Sequence, residues 1–321
     1  MRERFMVALI ADIGGTHARF ALVEGAAVSE PVVMRCAEHA GPAEAAAAFL
    51  AAHGGGVRPD RAAFAVASPI TGDVVDLTNS AWHFSIEAVR QTLGLERLEV
   101  VNDFTAVALS VRHLEAEHLL KIGAGVAVSG CPVAVLGPGT GLGVSAVVPD
   151  RQGRWTALAT EGGHVTLAAT NAQEDAVLEW LRRRFDHVSA ERVLSGPGLV
   201  NLYQALAGLR GVHPVYGTPD AISQRGLDGS CPLCRDALEM FFAILGTVAG
   251  NLALTVGARG GVYVAGGILP RMRDAFAQSA FRHRFEDKGR FRDYLGPIPT
   301  WLVVHPQPAF AGLAGLVNEA D

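Results

Sequence analysis

The stretch Leu98–Val111, LEVVNDFTAVALSV, decides how the rest of the chain is read. Leu98, Val100 and Val101 predict a short buried strand, and Phe104–Val111 an apolar helix leaving it. Asn102 and Asp103 then stand at the turn between the two, at the carboxyl end of the strand. In open α/β sheets ligands gather at that end. A carboxylate there, beside a side-chain amide, suits orienting and deprotonating a hydroxyl. A second reading of Asp103 stands next to this one. Asp is a favoured N-cap, and capping is the commoner role.

Composition narrows the class. The 321 residues leave room for two domains, and with half of them hydrophobic and 18% charged the chain can bury a sizeable core. A net charge of -5 offers no basic footprint, so no nucleic-acid partner is expected. Four cysteines (Cys36, Cys131, Cys231, Cys234) are too few for a disulfide scaffold and fit a reducing compartment. The apolar run before Asp12 is too short for a signal core. Ile122–Pro149 is uncharged, but its seven glycines and three prolines exclude a spanning helix. Met240–Ala258 is more helix-like and carries Gly246-x-x-x-Gly250, which reads as a buried helix in close contact with a neighbour. The expectation is a soluble, cytoplasmic protein with no membrane partner.

Working outward, Phe5–Ile10 and Ala18–Val23 read as strands joined by Asp12-Ile-Gly-Gly-Thr16. A glycine-rich turn between two strands is a hairpin, which excludes both the P-loop and the dinucleotide fingerprint here. Gly14 and Gly15 bring backbone N–H groups close to an anion. Thr16 adds a hydroxyl, and Asp12 can hold Mg²⁺ through water. An ordinary hairpin with glycines at positive φ is the plainer alternative. The same pattern returns at Val133–Leu136, Gly137-Pro-Gly139-Thr140-Gly141-Leu-Gly143 and Val144–Val148. Two such turns facing each other would grip a polyphosphate from both sides. Gly141-x-Gly143-x-x-Ala146 matches a nucleotide fingerprint in letters only, because a strand follows it.

Other stretches supply polar groups. Glu161-Gly-Gly-His164 places a carboxylate and an imidazole around two glycines, a set suited to vicinal hydroxyls. A metal site would need further His or Cys at ligand spacing, which is missing. Asn79, in a turn before Trp82, can hydrogen-bond a polar ligand or simply face water. Asn171 and Glu174 form a capping box for the helix Asn171–Phe185, with Arg182–Arg184 in its last turn. Glu191 lies on the short helical turn Ser189–Val193, ahead of the helix Leu199–Leu209. Gly211–Asp220 reads as a loop. Cys231-Pro-Leu-Cys234 has redox or zinc spacing but no partner motif. Gly266 and Gly267 follow the strand Gly261–Val264, where a flat ring can approach the backbone, and a helix is expected to start at Pro270.

Taken together these residues resemble the bacterial, proteobacterial-type glucokinase family. The resemblance covers nearly the whole chain. It rests on DIGGTHAR at 12–19, SPITGD at 68–73, LEVVNDFTAV at 98–107 and GPGTGLGV at 137–144. EGGHV at 161–165, HVSAERVLSGPGLVNLY at 187–203 and GGVYVAGGILPR at 261–271 complete it. It implies an α/β, two-domain ribonuclease H-like actin/hexokinase ATPase fold with an interdomain cleft. The small domain would be 1–113 plus 305–321, the large one 114–304. The implied activity is a glycolytic transferase reaction: ATP phosphorylates D-glucose at the 6-hydroxyl, giving glucose 6-phosphate and ADP. Asp103 would be the general base. Asn79, Asn102, Asp103, Glu161, His164 and Glu191 would bind the sugar. Asp12, Gly14, Gly15, Thr16, Gly137, Gly139, Thr140 and Gly141 would hold ATP and its Mg²⁺, with Gly266 and Gly267 near adenosine. A homodimer is the family-level expectation. His17 and Pro138 depart from the family's usual residues in the two turns. Another sugar kinase of the same fold, or a non-catalytic nucleotide- or sugar-binding regulator, are the alternatives.

Overall fold

Strand Val7–Ile13 (β1) shows why its residues up to Ala11 read as continuously apolar. In the computed structural model, which describes residues 7–77 and 82–319, both faces of its sheet are covered. Leu9, Ala11 and Ile13 join a core with Phe20, Phe49 and Phe64 on one face. Ala8 and Ile10 join Ala106, Phe310 and Leu313 on the other. Side chains alternate along a strand, so a strand covered on both faces must be apolar throughout.

The contacts divide the chain into two units, residues 1–115 with 305–321 and residues 116–304. In the first, β1 is followed by β2 (His17–Glu24), β3 (Ala27–Val28), β4 (Val32–Arg35), α1 (Pro42–His53) and β5 (Arg61–Val66). Then come the hairpin β6 (Val74–Asp76) and β7 (His83–Ser85), α2 (Ile86–Leu93), β8 (Arg97–Asn102) and α3 (Asp103–Ser110). The sheet order is β3-β2-β1-β5-β8, with β4 also on β2. β1, β5 and β8 run parallel, and the register puts Ile13 beside Val66 and Val66 beside Asn102. Three strands therefore end level, and the turns that leave them share one edge of the sheet. The C-terminal helix Pro308–Asn318 packs on α3 so closely that a Cβ at Gly312 would collide with the Ala106 carbonyl.

The second unit repeats this plan. It contains β9 (Leu119–Ile122), β10 (Val133–Pro138), β11 (Leu142–Pro149), β12 (Trp155–Ala159), α4 (Ala172–Arg182), α5 (Gly196–Leu209) and α6 (Pro219–Leu227). α7 (Pro232–Val256), β13 (Gly261–Val264), α8 (Arg273–Gln278), α9 (Phe281–Glu286), α10 (Arg292–Leu295) and β14 (Thr300–Val303) complete it. The order is β12-β11-β10-β13-β14-β9. An antiparallel hairpin followed by parallel strands, β10-β11 then β13 and β14, matches β1-β2 then β5 and β8. The weak repeat seen in the sequence is thus a repeat of topology.

Helix α7 is long and apolar enough to cross a membrane, yet 72% of its apolar window is buried in the unit. Gly246 and Gly250 give it a bare face. A Cβ at Gly250 would stand 2.5 Å from the Phe285 carbonyl, and one at Gly246 would collide with that of Phe281. The glycine pair therefore seats α9. Cys231 is the N-cap of α7, its sulfur accepting from Cys234 N–H at 3.4 Å. Burial is the main reason the Cys234 thiol is pushed up to about 12, which leaves it unreactive. All four cysteines are free.

Two expectations are corrected. The loop expected over Gly211–Asp220 ends at Thr218, whose hydroxyl accepts from Ala221 N–H and starts α6, with Pro219 in its first turn. The helix expected at Pro270 is a 3-10 turn, Leu269–Met272. Helices α8 to α10, each four to six residues, gave no periodic signal because so few turns cannot show one.

One buried ion pair ties α4 to α9. Glu174 Oε1 accepts from Arg284 Nη1 at 2.7 Å, and Thr170 N–H and hydroxyl both donate to Oε2 at 2.9 Å. The Arg284 guanidinium also donates to Thr247 of α7 at 2.8 Å. Burial pushes the Glu174 carboxyl up, but the bonds from Arg284 and Thr170 outweigh it and hold the group below its ordinary 4.5. Its stabilising effect is full above that ordinary value and is lost as the pH falls through the lowered one. Arg284→Ala strands a buried carboxylate. It is expected to cost about 3–5 kcal/mol in urea unfolding at pH 7, with a smaller difference at pH 3.

Candidate functional site

In the first unit the polar groups lie at the level edge of β1, β5 and β8. Asn102 caps α3, its Oδ1 accepting from Phe104 N–H at 2.9 Å and Thr105 N–H at 3.3 Å. The capping role weighed for Asp103 belongs to its neighbour. Asp103 is the first residue of the helix, and its Oδ1 accepts from Phe104 N–H at 2.7 Å. The Asn102 amide reaches the Ser68 carbonyl at 3.4 Å, bridging the ends of β5 and β8. Asn79 lies outside the described residues.

The turn after β1 is anchored from behind. Gly14 N–H donates to the His17 carbonyl at 3.0 Å, and Cys36 holds the other side. Its thiol donates to the Gly14 carbonyl at 3.4 Å and its N–H to the Thr16 carbonyl at 3.0 Å. Among the described residues, the Gly15 and Thr16 N–H groups have no acceptor. Neither Gly14 nor Gly15 is at positive φ, so the ordinary hairpin explanation for these glycines fails. His17 enters this frame only through its carbonyl and is exposed. Asp12 is partly buried, 3.5 Å from the Arg19 guanidinium. Burial pushes its carboxyl up, and Arg19 offsets part of that.

The turn after β10 has the same property. Gly139 N–H donates to the Gly141 carbonyl, and the Gly196 N–H at the start of α5 donates to the Gly139 carbonyl, both at 2.8 Å. Thr140 and Gly141 N–H have no acceptor among the described residues. Consecutive unpaired N–H groups form an anion-binding concavity, and the N-terminus of α5 beside them favours negative charge. Each hairpin turn therefore offers one such nest.

The glycines of the second turn divide by purpose. A Cβ at Gly137 would stand 2.6 Å from the Ala265 carbonyl, and Gly266, at φ 92°, lies against the Pro138 carbonyl. These two let the ends of β10 and β13 touch. Gly139 and Gly267 face open space without positive φ, so nothing within the chain requires a glycine there. Both border a cavity of about 350 Å³ with Thr140, Ile268, Pro219 and Arg271. That size and the bare backbone suit a flat heterocycle with its ribose.

Leu142 joins the turn to the remaining candidates. Its N–H donates to Glu191 Oε2 at 2.9 Å. A Cβ on Gly141 would stand 2.5 Å from the same oxygen. The Leu142 carbonyl lies against Gly163 with no room for a Cβ, so Glu161-Gly-Gly-His164 folds onto it as a 3-10 turn. Thr166 bridges Ser189, and Ala190 N–H donates to the Val165 carbonyl at 2.9 Å. His164 thereby stands between two carboxylates, 3.8 Å from Glu161 Oε2 and 3.9 Å from Glu191 Oε1. Those gaps exceed hydrogen-bond length. The imidazole and both carboxylates keep pairing capacity for a ligand rich in hydroxyls.

Among the described residues no group of three or more His, Cys, Asp or Glu side chains is arranged to hold a metal ion. The lone Asp12 carboxylate fits a Mg²⁺ ion that keeps its waters and arrives with a polyphosphate. Sequence reasoning missed Leu142, whose role is carried by its backbone, and the wall from α6. The pair Thr218-Pro219, a favoured cap followed by a favoured first residue, was the available signal for α6.

A sequence model of the family described as Glucokinase matches residues 9–320. The chain is 66% identical over 313 residues to the glucokinase of Paramagnetospirillum magneticum, covering 97% of each. It is 52% identical over 311 residues to that of Nitrobacter hamburgensis, again 97% of each. The crystal structure of a glucokinase from an Antarctic psychrotroph superposes with a TM-score of 0.92 at 37% identity, over 99% of this chain and 100% of that one. The repeated sheet-centred units are those of the actin/hexokinase ATPase fold.

The Asp12 carboxyl holds its proton more tightly in the folded protein than in the unfolded chain. Its contribution to stability is therefore present at low pH and lost as the pH rises through the raised value. Asp12→Asn is expected to raise the thermal unfolding midpoint at pH 7. The gain should vanish as the pH falls below the ordinary 3.8 of this group. A midpoint at pH 7 no higher than the parent's would contradict the assignment.

Proposed function

This chain belongs to the glucokinase family, and from that premise we propose that it transfers the terminal phosphoryl group of ATP to the 6-hydroxyl of D-glucose. The observation that supports this best is Leu142. The backbone N–H and carbonyl of this one residue seat the hydroxyl-binding set directly after the anion-binding turn, as a reaction between a sugar and a polyphosphate requires.

In this reading Glu161, His164 and Glu191 hold sugar hydroxyls, with Asn102, and Asn79 by family likeness. Asp103 orients the 6-hydroxyl and takes its proton as the oxygen–phosphorus bond forms. Phe104 N–H binds one carboxylate oxygen of Asp103 and fixes the direction of the other. The nests at Gly14-Gly15-Thr16 and Gly137–Gly141 hold phosphate oxygens through backbone N–H groups. Phosphoryl transfer depends mainly on positioning and charge stabilisation, so two preformed nests and one base suffice. Asp12 would hold, through water, a magnesium ion arriving with ATP, which would supply charge neutralisation. Adenosine occupies the cavity bordered by Gly139, Gly267 and Ile268, with Gly266 nearby by family likeness. The reaction belongs in the cytoplasm, at the entry to glycolysis, where ATP is present and free thiols stay reduced. The solution species is a homodimer, which light scattering reads directly.

A coupled assay for ADP release tests the whole reading. Release should depend on glucose, and its absence would overturn the proposal. Asp103→Ala should lower kcat by about 10²–10⁴-fold while equilibrium dialysis still detects glucose binding.

The two kinds of glycine separate in kinetics. Gly141→Ala displaces the Glu191 carboxylate and should raise KM for glucose about tenfold or more, the loss of one charged hydrogen bond. Gly139→Ala intrudes on open space and should raise KM for ATP instead. Equal effects of both changes on both substrates would contradict the division.

A further inference from the structure

The wall of the site that carries His164 and Glu191 does not end with them. A second cavity of about 440 Å³ opens there, lined also by Arg184, Phe185, Asp186, His187, Ser189 and Arg192. The proposed transfer uses only His164 and Glu191 of its lining. Two guanidinium groups share the ring of Phe185, Arg192 at 4.3 Å from its centroid and Arg184 at 5.6 Å. Arg184 also lies over Trp180 at 5.3 Å and donates to Gln204 Oε1 at 2.5 Å. Rings and an amide hold these cations in place, and among the described residues neither forms an ion pair with a carboxylate.

Two carboxylates border the same cavity. Glu191 is engaged by Leu142 N–H and faces His164. Asp186 is exposed and sets the limit on how much negative charge the cavity accepts. His187 Nε2 meets the Thr166 hydroxyl at 2.9 Å, which orients its ring. Two arginines fixed near each other without acidic partners are a ready fork for a phosphate.

We propose that this cavity is a phosphate subsite contiguous with the sugar-binding groups, and that it admits a hexose phosphorylated at a position away from the reacting 6-hydroxyl. The position comes from the roles of His164 and Glu191, and so rests on the function proposed above. They hold hydroxyls other than the reacting 6-hydroxyl, and the cavity continues beyond them. A phosphate there meets Arg184 and Arg192, whereas the phosphate of glucose 6-phosphate is carried on the reacting oxygen. Glucose 1-phosphate is the probe, and inorganic phosphate is the same chemistry without the sugar.

Calorimetric titration of the full chain without ATP measures binding and needs no turnover, so it remains readable even if glucose proves not to be the substrate. Glucose 1-phosphate should bind more tightly than inorganic phosphate and compete with glucose in the coupled assay. In the Arg184→Gln/Arg192→Gln double variant its affinity should fall about tenfold, the loss of charged hydrogen bonds. Arg192→Gln alone guards against a folding defect in the pair and should give part of that loss. The kcat and KM for glucose should stay within about twofold of the parent's in both variants, and inhibition by glucose 6-phosphate should not change. Three results each overturn the subsite. One is no binding of glucose 1-phosphate at 10 mM, on the order of the weakest useful affinity. Another is binding indifferent to both variants. The third is inorganic phosphate binding as tightly as glucose 1-phosphate.

Discussion

The hydrogen bond from Leu142 N–H to the Glu191 carboxylate is the constraint on which the second unit's site depends. It crosses 49 positions of sequence at 2.9 Å, and it exists because Gly141 has no side chain to block the oxygen. The carbonyl of the same residue receives Gly163, which brings Glu161 and His164 into place. A partly buried carboxylate needs donors, and a backbone N–H at the start of a rigid strand provides one that rotamer changes cannot remove. The cluster around His164 is therefore held by strand β11 and its turn, more firmly than by the exposed side chains themselves.

The two units solve one problem twice. Each places a tight glycine–threonine turn between antiparallel strands at the edge of a partly parallel sheet, and each ties down the carbonyl side of the turn. Cys36 does this in the first unit and Gly196 in the second. Tying the carbonyls from one side leaves consecutive N–H groups on the other. The anchors come from unrelated elements, the thiol and backbone N–H of Cys36 in one case and the backbone N–H at a helix N-terminus in the other. What they share is geometry, so the repeat is stronger in topology than in letters.

Most sheet strands were legible because a strand covered on both faces must be apolar along its length, as in Ala8–Ala11 and Ala62–Val66. Caps were legible too. Ser85 and Asn171 bond the N–H groups of their helices as their residue types suggest. Gly246-x-x-x-Gly250 announced a close helix contact correctly, and the partner, α9, is too short to announce itself. Among the candidate residues, Glu161, His164 and Glu191 do converge, although 27 positions separate His164 from Glu191. That convergence was read from family likeness, since periodicity carries no information about which distant turns meet.

By itself the sequence carried the repeated turn through periodicity and local backbone preference, and the family, with the fold class and the candidate site residues it implies, through the likeness of its motifs and their order. Only the tertiary structure decided what each glycine is for. Gly137, Gly141 and Gly266 accommodate other parts of the chain, whereas Gly139 and Gly267 border open space. It also decided that Asn102 is the N-cap of α3, while Asp103, the first helical residue, shares the Phe104 N–H with it. A missing side chain has the same letter whether a carbonyl, a carboxylate or a ligand takes its place, so the occupant is known only when the neighbours are.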